Sequence, residues 1–226
     1  MLCFVACLRS LILIKFLCSI IGIQFDLKEV FLSDKKQEKK ELIMQKALEL
    51  FASKGFYSTT IPDIANSLKM SVGNMYNYFK SKDILAKEII RFISRYFGDK
   101  LRDINEEDIS TKEKTRKIVK VYFEIAISHP EMIDYFLRIF LSNREVFKDG
   151  CEGMVCVNEF VTEIMIYFEE GVVNGELRDQ DFFSAFGLFM GYLGGMVFLK
   201  GENVLSKDLN EYIDDISSNI YKALSV

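Results

Sequence analysis

Apolar residues recur every three to four positions through most of the chain, and capping residues stand where that rhythm stops. Ile43, Ala47, Leu50 and Phe51 form one such stripe, with Ser33 placed to open the helix and Gly55 to close it in the left-handed conformation that glycine adopts freely. A second stripe, Ile61, Ile64, Ala65 and Leu68, follows Thr60, whose hydroxyl can accept a first-turn N–H while Asp63 answers it as a capping-box acid. Pro62 falls in the first turn, where its missing N–H costs nothing. Ser71 caps a third short helix in which Met75 and Phe79 anchor inward, leaving Asn74, Asn77 and Tyr78 outward. Between these two helices lies only Lys69-Met70, too short for anything except a sharp reversal. Ser81 opens a fourth helix with Leu85, Ile89, Phe92 and Tyr96 at periodic positions. An acid-rich loop, Asp103 to Thr111, precedes helices expected over 112–129, 131–143, 152–173, 180–200 and 207–224. The break at His129-Pro130 follows from the residue before proline disfavouring the helical region, and Asn174-Gly175 marks a turn. With two prolines and no alternating strand pattern, the expected fold class is all-α.

Two stretches depart from amphipathic periodicity. The apolar leader, residues 1–32, is interrupted by Arg9 and Lys15, so it lacks the unbroken run of a membrane span, and its basic residues are misplaced for a signal peptide. It reads as a mis-assigned start upstream of the working protein, with a membrane anchor as the alternative. Residues 181–200 are nearly all apolar or small, and the reading preferred for them is a helix buried on all sides, as at a subunit interface. Together with the last helix, whose apolar face is Leu209, Ile213, Ile216, Ile220 and Leu224, this segment is expected to form a homodimer surface through 181–200 and 207–224.

Charge changes the picture. The net charge is −4, yet residues 35–100 carry 13 Lys+Arg against 7 Asp+Glu, or +6, while residues 101–226 carry 13 against 23, or −10. A basic head beside an acidic body suits attraction to phosphate. The Lys35, Lys36, Lys39 and Lys40 cluster is either a solvated face or a further phosphate contact. The five cysteines offer no CxxC pair and no zinc pattern, which fits a reducing, cytoplasmic compartment with Cys151 and Cys156 as free thiols. No metal site and no cofactor fingerprint occurs, and His129, the single histidine, stands beside a helix-breaking proline, so an enzyme is not expected.

Two short helices around a tight turn, the second lined with hydrogen-bonding groups, form a helix-turn-helix whose second helix enters the major groove. The larger helical remainder is rich in adaptable apolar side chains. Tyr122, Phe123, Phe136, Phe140, Met165, Phe168 and Met190 are candidates to line a pocket for an apolar or amphiphilic small molecule, each being individually as consistent with plain core.

Residues from Ile43 to about Ile90 resemble the DNA-binding domain of the tetracycline-repressor family of bacterial regulators. The matching residues are Ala47, Phe51, Gly55, Thr59-Thr60, Ile64-Ala65, Ser71, Gly73, Tyr76, Tyr78-Phe79 and Lys82 followed by Leu85. The resemblance implies a three-helix head over 33–82 and a ligand-binding and dimerisation domain over 83–226. It implies phosphate contacts from Thr59 or Thr60, Tyr76 and Lys82, and base or groove contacts from Val72, Asn74, Asn77 and Tyr78, with Ser71 opening the reading helix. The function implied is a ligand-responsive regulator, a repressor, that binds a pseudo-palindromic operator as a dimer. A membrane-tethered regulator and a small-molecule-binding protein without DNA binding are the alternatives. Lys69 departs from the family, which has glycine in the turn; a lysine held there in the left-handed region costs on the order of 1 kcal/mol.

Overall fold

The computed structural model describes residues 27–140 and 157–226, with the side chains of 27–34 and 138–140 excepted. The leader up to Asp26, Cys151 and Cys156 lie outside the described residues. The described residues are helical and contain no strand, only an isolated bridge between Leu177 and Ser225. The described residues fall into two compact units: those from Met44 onward hold the turn motif and the body, and those up to Ile43 are separate from them.

α1 is Leu27–Lys54. Neither glycine nor proline interrupts those residues, so the helix runs past Ser33, which lies inside it and does not cap it. Gly55 follows at φ 88°, its N–H bonded to the Phe51 carbonyl, and ends the helix as its sequence position demands. α2 (Ile61–Ser67) and α3 (Val72–Tyr78) form the helix-turn-helix. α4 (Lys82–Asn105) leads into the body, where it packs most extensively along α7 (Asn158–Val173).

α5 (Thr111–Ser128) ends at His129, and Pro130 opens α6 (Pro130–Asp134), which passes into a π-helical turn over Tyr135–Phe140. α8 is Phe182–Gly201, and a 3₁₀ turn at Leu209–Tyr212 leads into α9 (Ile213–Leu224).

Two expectations about the body are corrected. Leu209, Ile213, Ile216, Ile220 and Leu224 are buried inside the chain, with α9 packed on α5, so this apolar face belongs to the core and not to an outer surface. α8 buries Ala185, Phe189, Leu193 and Met196, but Phe183 is 63% exposed and Phe198 62%. A helix buried on all sides is therefore not what the single chain contains: one face packs and the other is open.

A buried polar clasp fixes the far end of α4. The Asn105 side-chain amide donates to the Glu163 backbone carbonyl at 2.9 Å, and the Arg102 guanidinium donates to the Glu163 carboxylate at 2.9 Å. That charge-assisted bond holds the Arg102 guanidinium above its ordinary pKa. Lys114, itself buried, donates to the Asn105 carbonyl at 2.6 Å and to Glu170 at 2.8 Å.

Candidate DNA-reading site and ligand cavity

The local grammar of the turn motif takes the form its residues dictate. Thr60 caps α2 with its side chain accepting from the Asp63 N–H, while Asp63 accepts from the Thr60 N–H at 2.8 Å and from its hydroxyl at 2.6 Å. These bonds hold the Asp63 carboxyl below its ordinary pKa. Ser71 caps α3 by accepting from the Asn74 N–H at 3.2 Å. Lys69 sits in the turn at φ 52°, the left-handed conformation that glycine would supply without strain.

Within α3, Met75 is fully buried, which fixes the rotation of the helix about its axis. Asn74 and Asn77 are then exposed and 3.5 Å apart through their amides, Tyr76 is 44% exposed, and Val72 and Tyr78 are half-buried at the edge. Ser71 and Thr60 also face outward. This gathers Val72, Asn74, Tyr76, Asn77 and Tyr78 on α3, with Ser71 and Thr60 just ahead of α3 and α2.

Thr59 and Lys82 are placed differently. Thr59 is fully buried, with its hydroxyl donating to the Gly55 carbonyl at 2.9 Å and lying 3.3 Å from that of Leu50. Of the threonine pair, Thr60 is the one at the surface. The half-buried Lys82 ammonium donates to the Phe56 carbonyl at 2.9 Å and to the Thr59 carbonyl at 3.1 Å, and stands 4.3 Å over the Phe56 ring. Those bonds tie the loop ahead of α2 to the start of α4.

The body contains a small cleft with a cavity volume of about 20 Å³. α4 contributes Ile93, Ser94 and Phe97; α5 contributes Tyr122; Ile133 and Phe136 come from α6 and its π-helical continuation. Val157, Phe160 and Met190 close it. Three of the seven residues expected to line a pocket, Tyr122, Phe136 and Met190, meet here. Met165 and Phe168 instead border a more open cleft near Arg178 and Phe182, and Phe123 is fully buried in the core. The Phe140 side chain lies outside those described. Ile93 and Phe97, four residues apart on α4, are the wall that sequence reasoning missed, although their helical spacing with Ile89 put them on that helix's apolar face.

Residues 43–89 match the family described as bacterial regulatory proteins, tetR family. YerO of Bacillus subtilis, an uncharacterized HTH-type transcriptional regulator, is 27% identical over 194 residues, covering 83% of this chain. The chain spans 66% of YerO, just under two thirds of its length. The HTH-type transcriptional regulator LuxR of Vibrio harveyi is 31% identical over 143 residues, covering 63% of this chain and 69% of LuxR. Among solved structures, the transcriptional regulator FadR from Bacillus subtilis in complex with stearoyl-CoA superposes with a TM-score of 0.68 at 20% identity, over 80% of this chain and 97% of FadR. That last likeness is one of fold.

Proposed function

The chain belongs to the tetR family of bacterial regulatory proteins, and from that premise we propose that it is a cytoplasmic, ligand-responsive transcriptional repressor. It binds a pseudo-palindromic operator as a dimer and is released by a small apolar or amphiphilic molecule. The observation that carries this reading is the outward face of α3, where Asn74, Tyr76 and Asn77 stand exposed around an axis fixed by buried Met75. Asparagine can pair bidentately with adenine, and the half-buried Val72 suits a thymine methyl. Thr60 and Tyr76 supply phosphate contacts that set the register.

The same α4 that begins three residues after Phe79 supplies Ile93, Ser94 and Phe97 to the cleft. A molecule entering the cleft presses on this helix and shifts the head it carries. Since half-sites lie a fixed distance apart on DNA, a small change in head spacing prevents both from docking. The stearoyl-CoA held by FadR supports an amphiphilic effector for this fold.

Retardation of the protein's own upstream DNA in a gel, outcompeted by unlabelled specific fragment but not by random DNA, is the expected result. Asn77→Ala then changes which operator variants are preferred, whereas equal losses on operator and random DNA remove the base-reading role. A protein that retards neither fragment is not a repressor of its own upstream region. Among the described residues one helix, Phe182–Gly201, is long and apolar enough to cross a membrane, but four of its residues pack into the body of the chain. The tethered alternative through residues 1–25 lies outside the described residues.

A further inference from the structure

Between Asp63 and Asp83 the chain carries no acidic residue, and its only charges there are Lys69, Lys80 and Lys82. The Lys82 ammonium is taken up inside the head by the Phe56 and Thr59 carbonyls. A phosphate contact at the leading end of α3 therefore falls to another cation.

Lys69 is placed for it. The Lys69 N–H donates to the Asn66 carbonyl at 3.1 Å, and the Met70 N–H donates to the Ala65 carbonyl at 2.9 Å. This pair of bonds is the Schellman ending of α2, which holds the residue after the C-cap in the left-handed region, and Lys69 occupies it at φ 52°. The direction of its side chain is thus set by backbone bonds. That side chain is exposed, and among the described residues it pairs with no carboxylate. Ser71, the N-cap of α3, follows two residues later. The turn accordingly holds the lysine stem beside the end of α3 that meets the bases. Glycine would adopt this backbone without strain, whereas lysine costs on the order of 1 kcal/mol. No contact among the described residues offsets that cost; an ion pair with a DNA phosphate does so once the duplex is bound.

Resting on the reading of α3 as the DNA-reading helix, we infer that Lys69 contacts a backbone phosphate flanking the groove that α3 enters, and so positions that helix. A phosphate contact is blind to base identity. Lys69 sets affinity for all duplex DNA and its salt dependence, while Asn74 and Asn77 set sequence preference.

Fluorescence anisotropy of the full chain with its own upstream fragment and with a random duplex, over a series of salt concentrations, tests this. Lys69→Gln keeps the strained backbone and removes the charge. It is expected to weaken both duplexes by the same factor, about threefold to tenfold per head, and to make the slope of log affinity against log salt shallower by about one per head. Lys69→Gly, which relieves the strain, is expected to show the same loss, so that weaker binding does not follow from a less stable head. Lys69→Arg keeps the charge and is expected to keep the parent affinity and slope. Lys112→Gln removes an exposed charge from α5 in the body and is expected to change neither. Parent affinity and slope in Lys69→Gln or Lys69→Gly overturn the proposal, as does a loss confined to the upstream fragment or a loss shared by Lys69→Arg or Lys112→Gln. Equal binding of both duplexes by the parent would remove operator reading and still let Lys69→Gln decide the phosphate contact. A parent that binds neither duplex overturns both.

Discussion

Lys82 shows how a surface-looking charge becomes part of the framework. Its ammonium bonds to two carbonyls, Phe56 and Thr59, that lie 26 and 23 residues earlier in the chain. Lys82→Met keeps most of the aliphatic stem but leaves both carbonyls without this donor, and a loss of about 1–3 kcal/mol is expected from hydrogen bonds made to a charged group. Urea unfolding checks this; a variant as stable as the parent, weakened only in a salt-dependent way toward all DNA, would return Lys82 to phosphate contact. Lys69 is the opposite case, a residue in conflict with its backbone at φ 52°. Lys69→Gly relieves about 1 kcal/mol of left-handed strain, offset in part by glycine's extra entropy in the unfolded chain, so a net gain of roughly 0.5 kcal/mol is expected in the same unfolding experiment. These residues also mark what the sequence could tell. The caps Thr60, Ser71 and Ser81, the left-handed Gly55 and the conflict at Lys69 were legible because each depends on atoms within about four residues. The inward turn of Thr59 and the partners of Lys82 were not, because they depend on where distant backbone comes to rest.

At the scale of elements, α6 and its π-helical continuation join the head to the cleft. Tyr135 is fully buried, its ring lies 6.1 Å from Phe51 of α1, and its hydroxyl donates to the Ala86 carbonyl of α4 at 2.9 Å. Its neighbours Ile133 and Phe136 line the cleft, so one short segment touches both ends of the proposed switch. The sequence pattern placed a regular helix at 131–143, and nothing in its periodicity distinguishes the π turn found over Tyr135–Phe140. Tyr135→Phe keeps the ring and removes one buried hydrogen bond, leaving the Ala86 carbonyl without that partner. A loss of about 1–2 kcal/mol is expected, together with faster amide hydrogen exchange over residues 82–90 while the clasped end of α4 near Asn105 exchanges as before. Uniformly faster exchange along all of α4 would show that Tyr135 stabilises the helix as a whole and does not act as a link at one end.

At the scale of the whole molecule, the open face of α8 decides between a dimer and a lone chain. Gly187, Gly191 and Gly195 stand four residues apart on one stripe, a Cβ added at any of them meets no atom within 4 Å, and exposed Phe183 and Phe198 flank them. Such a face left in water forgoes roughly 25 cal/mol for each Å² of apolar surface that a partner would cover, and glycines at this spacing permit close approach of a second helix. The sequence made this helix legible as an interface candidate through its composition, but assigned α9's apolar face to the same surface. Composition alone cannot say which of two apolar faces the chain's own core consumes, and here α5 takes that of α9. Gly191→Glu puts a charge on the remaining face without touching anything inside the chain. Sedimentation equilibrium is expected to give a dimer for the parent and a monomer for Gly191→Glu with an unchanged circular dichroism spectrum. Operator affinity should fall by about a hundredfold or more, because a monomer loses the effective concentration that lets the second head bind once the first is seated. A dimer that survives Gly191→Glu with full operator binding would move the interface away from α8. A parent chain that is monomeric and partitions into lipid vesicles would instead assign the apolar face to a membrane surface.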